Sequence, residues 1–398
     1  MPSLKSFLLK ILLRALFYFL TFPLLINLSL AQVSRSASAS TDEAAGGAVN
    51  WSQFQFNPAN TGTNPFETIL NPSTVNGLVL KWSYDSNAFV NTQPVIVDGT
   101  AYLADGLYLS AFDAITGQKL WTYLTGPLGL STPAVANRVV YVSSYRTYSL
   151  VALNAATGAE MWSFAAGNGV QSPVAVADGV LYFGANGHWI YAVDAATGSE
   201  LWQFSTASDV PSKPAVSNGI VYAASADEKL YALNAITGAK LWSFATNGDI
   251  YISSPAVANG LVYVASTDWN VYAVDAATGT ERWSFKAKDG FQASLAVANG
   301  VVYSASADGN LYALNADTGA ELWSFLDENY SSSPILANGI VYLGGAIKSV
   351  YAFNAKNGAK LWNYNVADYG FQYSSPAVVN GMLYIGSDNG TYYAFGLP

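Results

Sequence analysis

The stretch AFDAITGQKLW, residues 111–121, decides the fold. An apolar run ends at Asp113, a turn signal follows at Thr116-Gly117, and Trp121 comes four residues after the glycine. Copies stand at LNAATGAEMW (153–162), VDAATGSELW (193–202), LNAITGAKLW (233–242), VDAATGTERW (274–283), LNADTGAELW (314–323) and FNAKNGAKLW (353–362). With Trp82, the tryptophans Trp121, Trp162, Trp202, Trp242, Trp283, Trp323 and Trp362 recur every 39–41 residues. Tyr102, Tyr141, Tyr182, Tyr222, Tyr263, Tyr303, Tyr342 and Tyr384 keep nearly the same beat. A period of this length marks a stacked or radial repeat, in which each unit covers an apolar face its neighbour leaves open.

Each unit carries four short strand signals. The first resembles PAVA (255–258) and ends at an Asn-Gly or Asp-Gly pair, a hairpin signal because both residues tolerate positive φ. A second run such as LVYVAS (261–266), a variable turn, a third run such as VYAVDA (271–276), the Thr-Gly turn and a fourth run around the Trp complete it. These runs are too short and too glycine-punctuated for a helical period. Four antiparallel strands per unit predict an all-β, eight-bladed β-propeller of four-stranded antiparallel blades. The last unit has a third strand, TYYAFG (391–396), and lacks a fourth, whereas LVLKWSY (78–84) is a fourth strand with no blade before it. Pairing the two closes the ring with an N-terminal strand and removes open sheet edges. The periodic Trp is expected between neighbouring blades. The Asp or Asn at 113, 154, 194, 234, 275, 315 and 354 is expected to cap its turn.

Composition sets bounds on function. Of 398 residues, 51% are hydrophobic and 11% charged, enough for a large core. The net charge of −9 argues against nucleic acid. Cysteine is absent and His188 is the only histidine, which excludes Cys/His zinc sites, thiol catalysis and disulfides. Lys5, Lys10 and Arg14 lead into an apolar run ending at Ser29-Leu30-Ala31. That is the layout of a secretory signal over 1–31, followed by a flexible linker over 32–50 and the propeller over 51–398. An exported protein is expected, secreted or periplasmic. It is not a lipoprotein, since no Cys follows the cleavage site, and it touches a membrane only if the signal stays uncleaved. A monomer is expected.

The Ala-x-Asp-x-x-Thr-Gly-x-x-x-Trp unit resembles the tryptophan-docking repeat of the PQQ-like, or quinoprotein alcohol dehydrogenase-like, eight-bladed propellers. Asn replaces Asp at Asn154, Asn234, Asn315 and Asn354, and Asn357 replaces Thr. WSQFQFNPANTG (51–62) is similar to the lead-in these propellers carry before their first blade. The resemblance implies either a PQQ-dependent oxidoreductase, with PQQ and calcium as cofactors, or a non-catalytic binding or assembly scaffold. The chain lacks the adjacent cysteines that hold the quinone in many such dehydrogenases, its units are near minimal length, and nothing in it requires a cofactor. The resemblance is therefore to the non-catalytic members. No catalytic residue and no metal ligand is assigned.

Variation between units places the candidate site. The hairpin and Thr-Gly turns barely change and share one face. The inter-blade loops and the second-to-third-strand turns share the other and vary sharply. The residues singled out there, as a face for a protein, peptide or glycan, are Phe89, Tyr145, Arg146, Tyr148, His188, Trp189, Tyr251, Trp269, Phe291, Tyr330, Tyr369 and Phe371. Carboxylates expected on the same face are Asp209, Asp227, Glu228, Asp268, Asp289, Asp308, Asp327, Glu328, Asp368 and Asp388. A carboxylate pair among them would point instead to a glycan-cleaving enzyme. Ordinary solvated turns account for them as well.

Overall fold

A computed structural model describes residues 49–398 except 87, 127–130, 252, 292, 327–331, 346–348, 367–369 and 372–373. The expected signal segment and most of the expected linker lie outside the described residues. Val49 and Asn50, at the end of that linker, are tied to the ring: Asn380 Nδ2 donates to the Val49 carbonyl and Asn50 Oδ1 accepts from the Asp98 amide.

Eight antiparallel four-stranded sheets form around an axis, one of them extended by a short fifth strand. Blade 1 runs from Val95 to Leu124 and blade 7 from Ile335 to Asn365. Blade 8 consists of Ala377–Val379, Met382–Gly386, Thr391–Gly396 and, as its outer strand, Val79–Asp85. The N-terminal strand thus closes the ring as the repeat count requires, with Trp82 opposite Ala394. The hairpin turns adopt the expected left-handed pair, for example Asn259 at φ 52° and Gly260 at φ 76°.

The repeated residues lock each blade to the next. The indole Nε1 of Trp121 and the hydroxyl of Tyr102 both donate to the Ala155 carbonyl, in the Thr-Gly turn of the following blade. Trp202 and Tyr182 share Ala235 in the same way, and Trp283 and Tyr263 share Ala316. Across the closure, Trp82 and Tyr384 share Ala114. Each ring lies under the next turn so closely that a Cβ on Gly158 would come within 2.6 Å of Trp121. That glycine, at φ 70°, is required twice over, by its backbone and by the ring. The capping residue behaves as expected: Asp113 Oδ1 accepts from the Ile115 and Thr116 amides and the Thr116 hydroxyl. Some of the repeated residues depart from this pattern: the Trp162 indole Nε1 is buried without a partner, and so is the hydroxyl of Tyr342, which is the informative case. Tyr342 lacks a partner because blade 8 takes its outer strand from the N-terminal side and has no Thr-Gly turn to offer a carbonyl.

Candidate functional site

The first strand of each blade lines the central channel, and the lead-in segment occupies that wall. Between Trp51 and Asn64 the chain makes one circuit, visiting the blades in order. Trp51 exchanges backbone bonds with Ile96 of blade 1. The carbonyls of Ser52, Pro58, Ala59, Thr61 and Gly62 accept from the mid-strand amides of Val135, Val216, Val257, Val297 and Leu336. Gln53 Oε1 takes the Val176 amide, and Asn64 Nδ2 donates to the Val378 carbonyl in blade 8. All eight innermost strands therefore spend a mid-strand polar group on this strap. Three of its non-glycine residues take left-handed backbone: Gln55, Phe56 and Asn60, at φ 56°, 73° and 56°. Sequence reading identified the lead-in but not its course. Its amide-rich composition (Gln53, Gln55, Asn57, Asn60, Asn64) was the available signal, since a strap that satisfies eight separate strand edges needs side chains that both donate and accept.

Lys213 pins the strap. It precedes the first strand of blade 4, at the position where blades 5 to 8 carry Ser254, Ser294, Ser333 and Ser375. Those hydroxyls accept the amide of the preceding blade's equivalent residue, forming a partial ring of blade-to-blade bonds. Lys213 instead sends its Nζ to the Phe54 and Asn57 carbonyls at 2.7 and 3.1 Å. It is completely buried, and burial holds its amine well below the ordinary lysine range.

These facts test the cofactor that the repeat implies. PQQ is a polyanion and, in the quinoproteins the repeat resembles, is accompanied by calcium. Lys213 is the only buried basic side chain among the described residues, and its amine is committed to strap carbonyls. No group of three or more His, Cys, Asp or Glu side chains there is placed to hold a metal. Among the described residues, then, neither a free buried amine nor a carboxylate cluster is placed to hold PQQ with calcium.

The loop carboxylates mostly latch their own loops. Asp268 Oδ2 accepts from the Tyr272 hydroxyl at 2.6 Å and from the Asn247 amide of the neighbouring loop. Asp308 does the same with Tyr312 and the Lys288 amide, and Asp227 with Tyr231 and the Ala207 amide. Burial would raise the Asp268 and Asp308 carboxyls, but these hydrogen bonds more than offset it and both stay below the usual range. Asp327, Glu328 and Asp368 lie outside the described residues.

The candidate face divides. Tyr148, Tyr251, Trp269 and Phe89 are exposed, at 54%, 46%, 45% and 45%. Arg146 and His188 are exposed, while Tyr145 and Trp189 are half-buried. Tyr145 reaches Gln171 and Asn186, and burial pushes its phenol up. His188 Nε2 lies 3.8 Å from Asp209. Phe291 and Phe371 were expected on this surface and are not there: they are 2% and 0% exposed. They fill the anchor position of their inter-blade loops, taken by the equally buried Val90, Val170, Val210 and Ile250 elsewhere. An apolar loop residue five or six places before the first strand tucks under the loop and cannot also present itself to a partner. Tyr330 and Tyr369 lie outside the described residues.

A family model described as outer membrane protein assembly factor BamB matches residues 146–254 and 248–397. A curated relative, 1-butanol dehydrogenase (cytochrome c) of Thauera butanivorans, is 35% identical over 101 residues, 25% of this chain. The aligned part spans only 14% of that relative's length. Among solved structures, BamB from Moraxella catarrhalis is similar with a TM-score of 0.68 at 22% identity, over 80% of this chain and 99% of that one. Quinohemoprotein alcohol dehydrogenase from Comamonas testosteroni is similar with a TM-score of 0.77 at 16% identity, over 92% of this chain and 83% of that one. At these identities the likeness to solved structures concerns the fold alone.

Proposed function

The chain belongs to the outer membrane protein assembly factor BamB family, and on that footing we propose that it is an exported, non-enzymatic scaffold that holds a partner on its loop face. One observation carries the reading. The channel wall, where a propeller can build a chamber, is spent on the strap from Trp51 to Asn64, while the opposite loops leave Tyr148, Tyr251 and Trp269 half-exposed. Ordered aromatic rings on variable loops over a rigid ring are the usual raw material of a binding surface. The latched carboxylates support the same reading, since Asp227, Asp268 and Asp308 already spend an oxygen on a tyrosine and a loop amide.

The competing reading is a PQQ-dependent dehydrogenase, favoured by the 101-residue match to the butanol dehydrogenase. A calorimetric titration of PQQ into the exported protein made in a PQQ-free host, with and without calcium, separates the two. A dye-reduction assay with alcohols and sugars accompanies it. The scaffold reading expects neither binding heat nor dye reduction. Saturable one-to-one binding with turnover would overturn it.

A further inference from the structure

The internal repeat exposes a choice made on one side of the loop face only. The last residue of the turn between the second and third strands has positive φ in six described blades. Blades 6 and 8 fill it with Gly309 and Gly390, as the conformation favours. Blades 2 to 5 fill it with Tyr148, His188, Glu228 and Trp269, at φ 52°, 74°, 65° and 78°. Bulky residues are uncommon in that region, and such strain persists where a side chain is needed in a set direction. The four positions are consecutive around the ring and form an arc, which Tyr251 of the loop between blades 4 and 5 joins.

We propose that this arc is a recognition site for a neutral oligosaccharide; the proposal rests on the binding-scaffold reading and names its partner. Three features favour a sugar chain. First, the rings of Tyr148, Tyr251 and Trp269 are half-exposed and stack on no other ring among the described residues, which leaves faces for the C–H side of a pyranose. Second, their surroundings are small and polar. Gly169 lies beside the Tyr148 ring, with the Tyr145 ring and the Asn186 amide against the same glycine, and Gly290 lies beside Trp269 and Thr267. The apolar loop residues that would build a protein-type hot spot, Val170, Val210 and Ile250, are buried underneath. Third, the arc carries charges of both signs: Glu228, Asp209, Asp249 and the latched Asp227 and Asp268 stand among Arg146, Lys229 and Lys286, whose ammonium lies 5.7 Å from the Trp269 ring centre. Interspersed signs give no single-sign field for a strongly charged partner, and Asp227 and Asp268 already accept from Tyr231 and Tyr272, whereas hydroxyls find amides, an imidazole and carboxylates.

The test titrates cellohexaose, laminarihexaose, maltohexaose and chitohexaose, and in parallel an acidic, a basic and an apolar decapeptide, into the exported protein. Tryptophan fluorescence and calorimetry are the readouts. At least one hexasaccharide is expected to bind. Trp269→Gly and Tyr148→Gly are each expected to weaken that binding roughly tenfold. Melting temperatures should stay the same or rise, because glycine relieves the left-handed backbone. Binding lost together with melting temperature would mark a folding defect and overturn the assignment of these side chains to recognition. Saccharide binding that survives both substitutions overturns the site. No saccharide binding at millimolar concentration overturns the sugar partner. If a peptide binds instead, the scaffold reading stands without it. If nothing binds and PQQ turns over, both fall.

Discussion

Trp269 and Trp283 stand in the same blade and do opposite work. Trp283 recurs in every unit; it is 8% exposed, donates its indole hydrogen to the Ala316 carbonyl and lies under Gly319 of the next blade. Trp269 has no counterpart in the repeat; it is 45% exposed and held at φ 78° where blade 6 uses Gly309. A residue that every blade repeats answers a need every blade has, which is to attach to its neighbour. A residue that breaks the repeat, at a conformational cost, meets no need common to the blades, and on the proposed reading it faces a partner. The two faces differ in the same way: turns capped by Asp or Asn on one, loops of unlike content on the other.

The largest effect expected on the repeated side comes from alkali. Burial, aided in all but Tyr303 by a nearby carboxylate, pushes the inter-blade phenols of Tyr141, Tyr182, Tyr222, Tyr263 and Tyr303 up to about 12. In the unfolded chain a phenol titrates near 10. The folded state therefore keeps protons that the unfolded state gives up. Their stabilisation is complete below about pH 10 and is lost as the pH rises through about 12. Circular dichroism and tyrosinate absorbance followed together should show one cooperative transition in that window. Tyrosinate appearing near pH 10 with the fold intact would break the idea that these rings are the joints.

Next in size is the contrast between the two tryptophans. Trp283→Ala should cost about 3–5 kcal/mol in urea denaturation, as for other buried aromatic truncations. Trp269→Ala should stay within about 0.5 kcal/mol of the parent. Equal costs would erase the distinction between joint and recognition residue. A further contrast concerns the strap. Because burial depresses the Lys213 amine, the unfolded state binds a proton there that the folded state does not. The parent should then gain stability relative to Lys213→Met as the pH rises toward about 10.4, the ordinary lysine value. A stability difference independent of pH would mean that Lys213 stays charged against the Phe54 and Asn57 carbonyls.

Much of the proposed arc was legible through the repeat, and the failures have physical causes. Tyr148, His188 and Trp269 stood out because they interrupt a period. Phe291 and Phe371 stood out for the same reason and were misread, because aromatic identity does not reveal which way a loop side chain turns. Aligning them with Val170, Val210 and Ile250 shows an apolar anchor five or six residues before the next strand. Glu228 was visible as a carboxylate but not as a position shared with Trp269, since the turn conformation that equates them is a backbone property.

From sequence alone, the period of Trp and Tyr, the Asn-Gly and Thr-Gly turns, the blade number and the closing N-terminal strand all follow. Each is local, or is a periodic pattern of local features, and local chemistry decides it. The course of residues 51–64 around the channel wall, the burial of Lys213 on strap carbonyls and the orphaned Tyr342 hydroxyl were settled by tertiary structure. Each of these depends on strand edges that are far apart in sequence and exist as a wall only when the ring has closed.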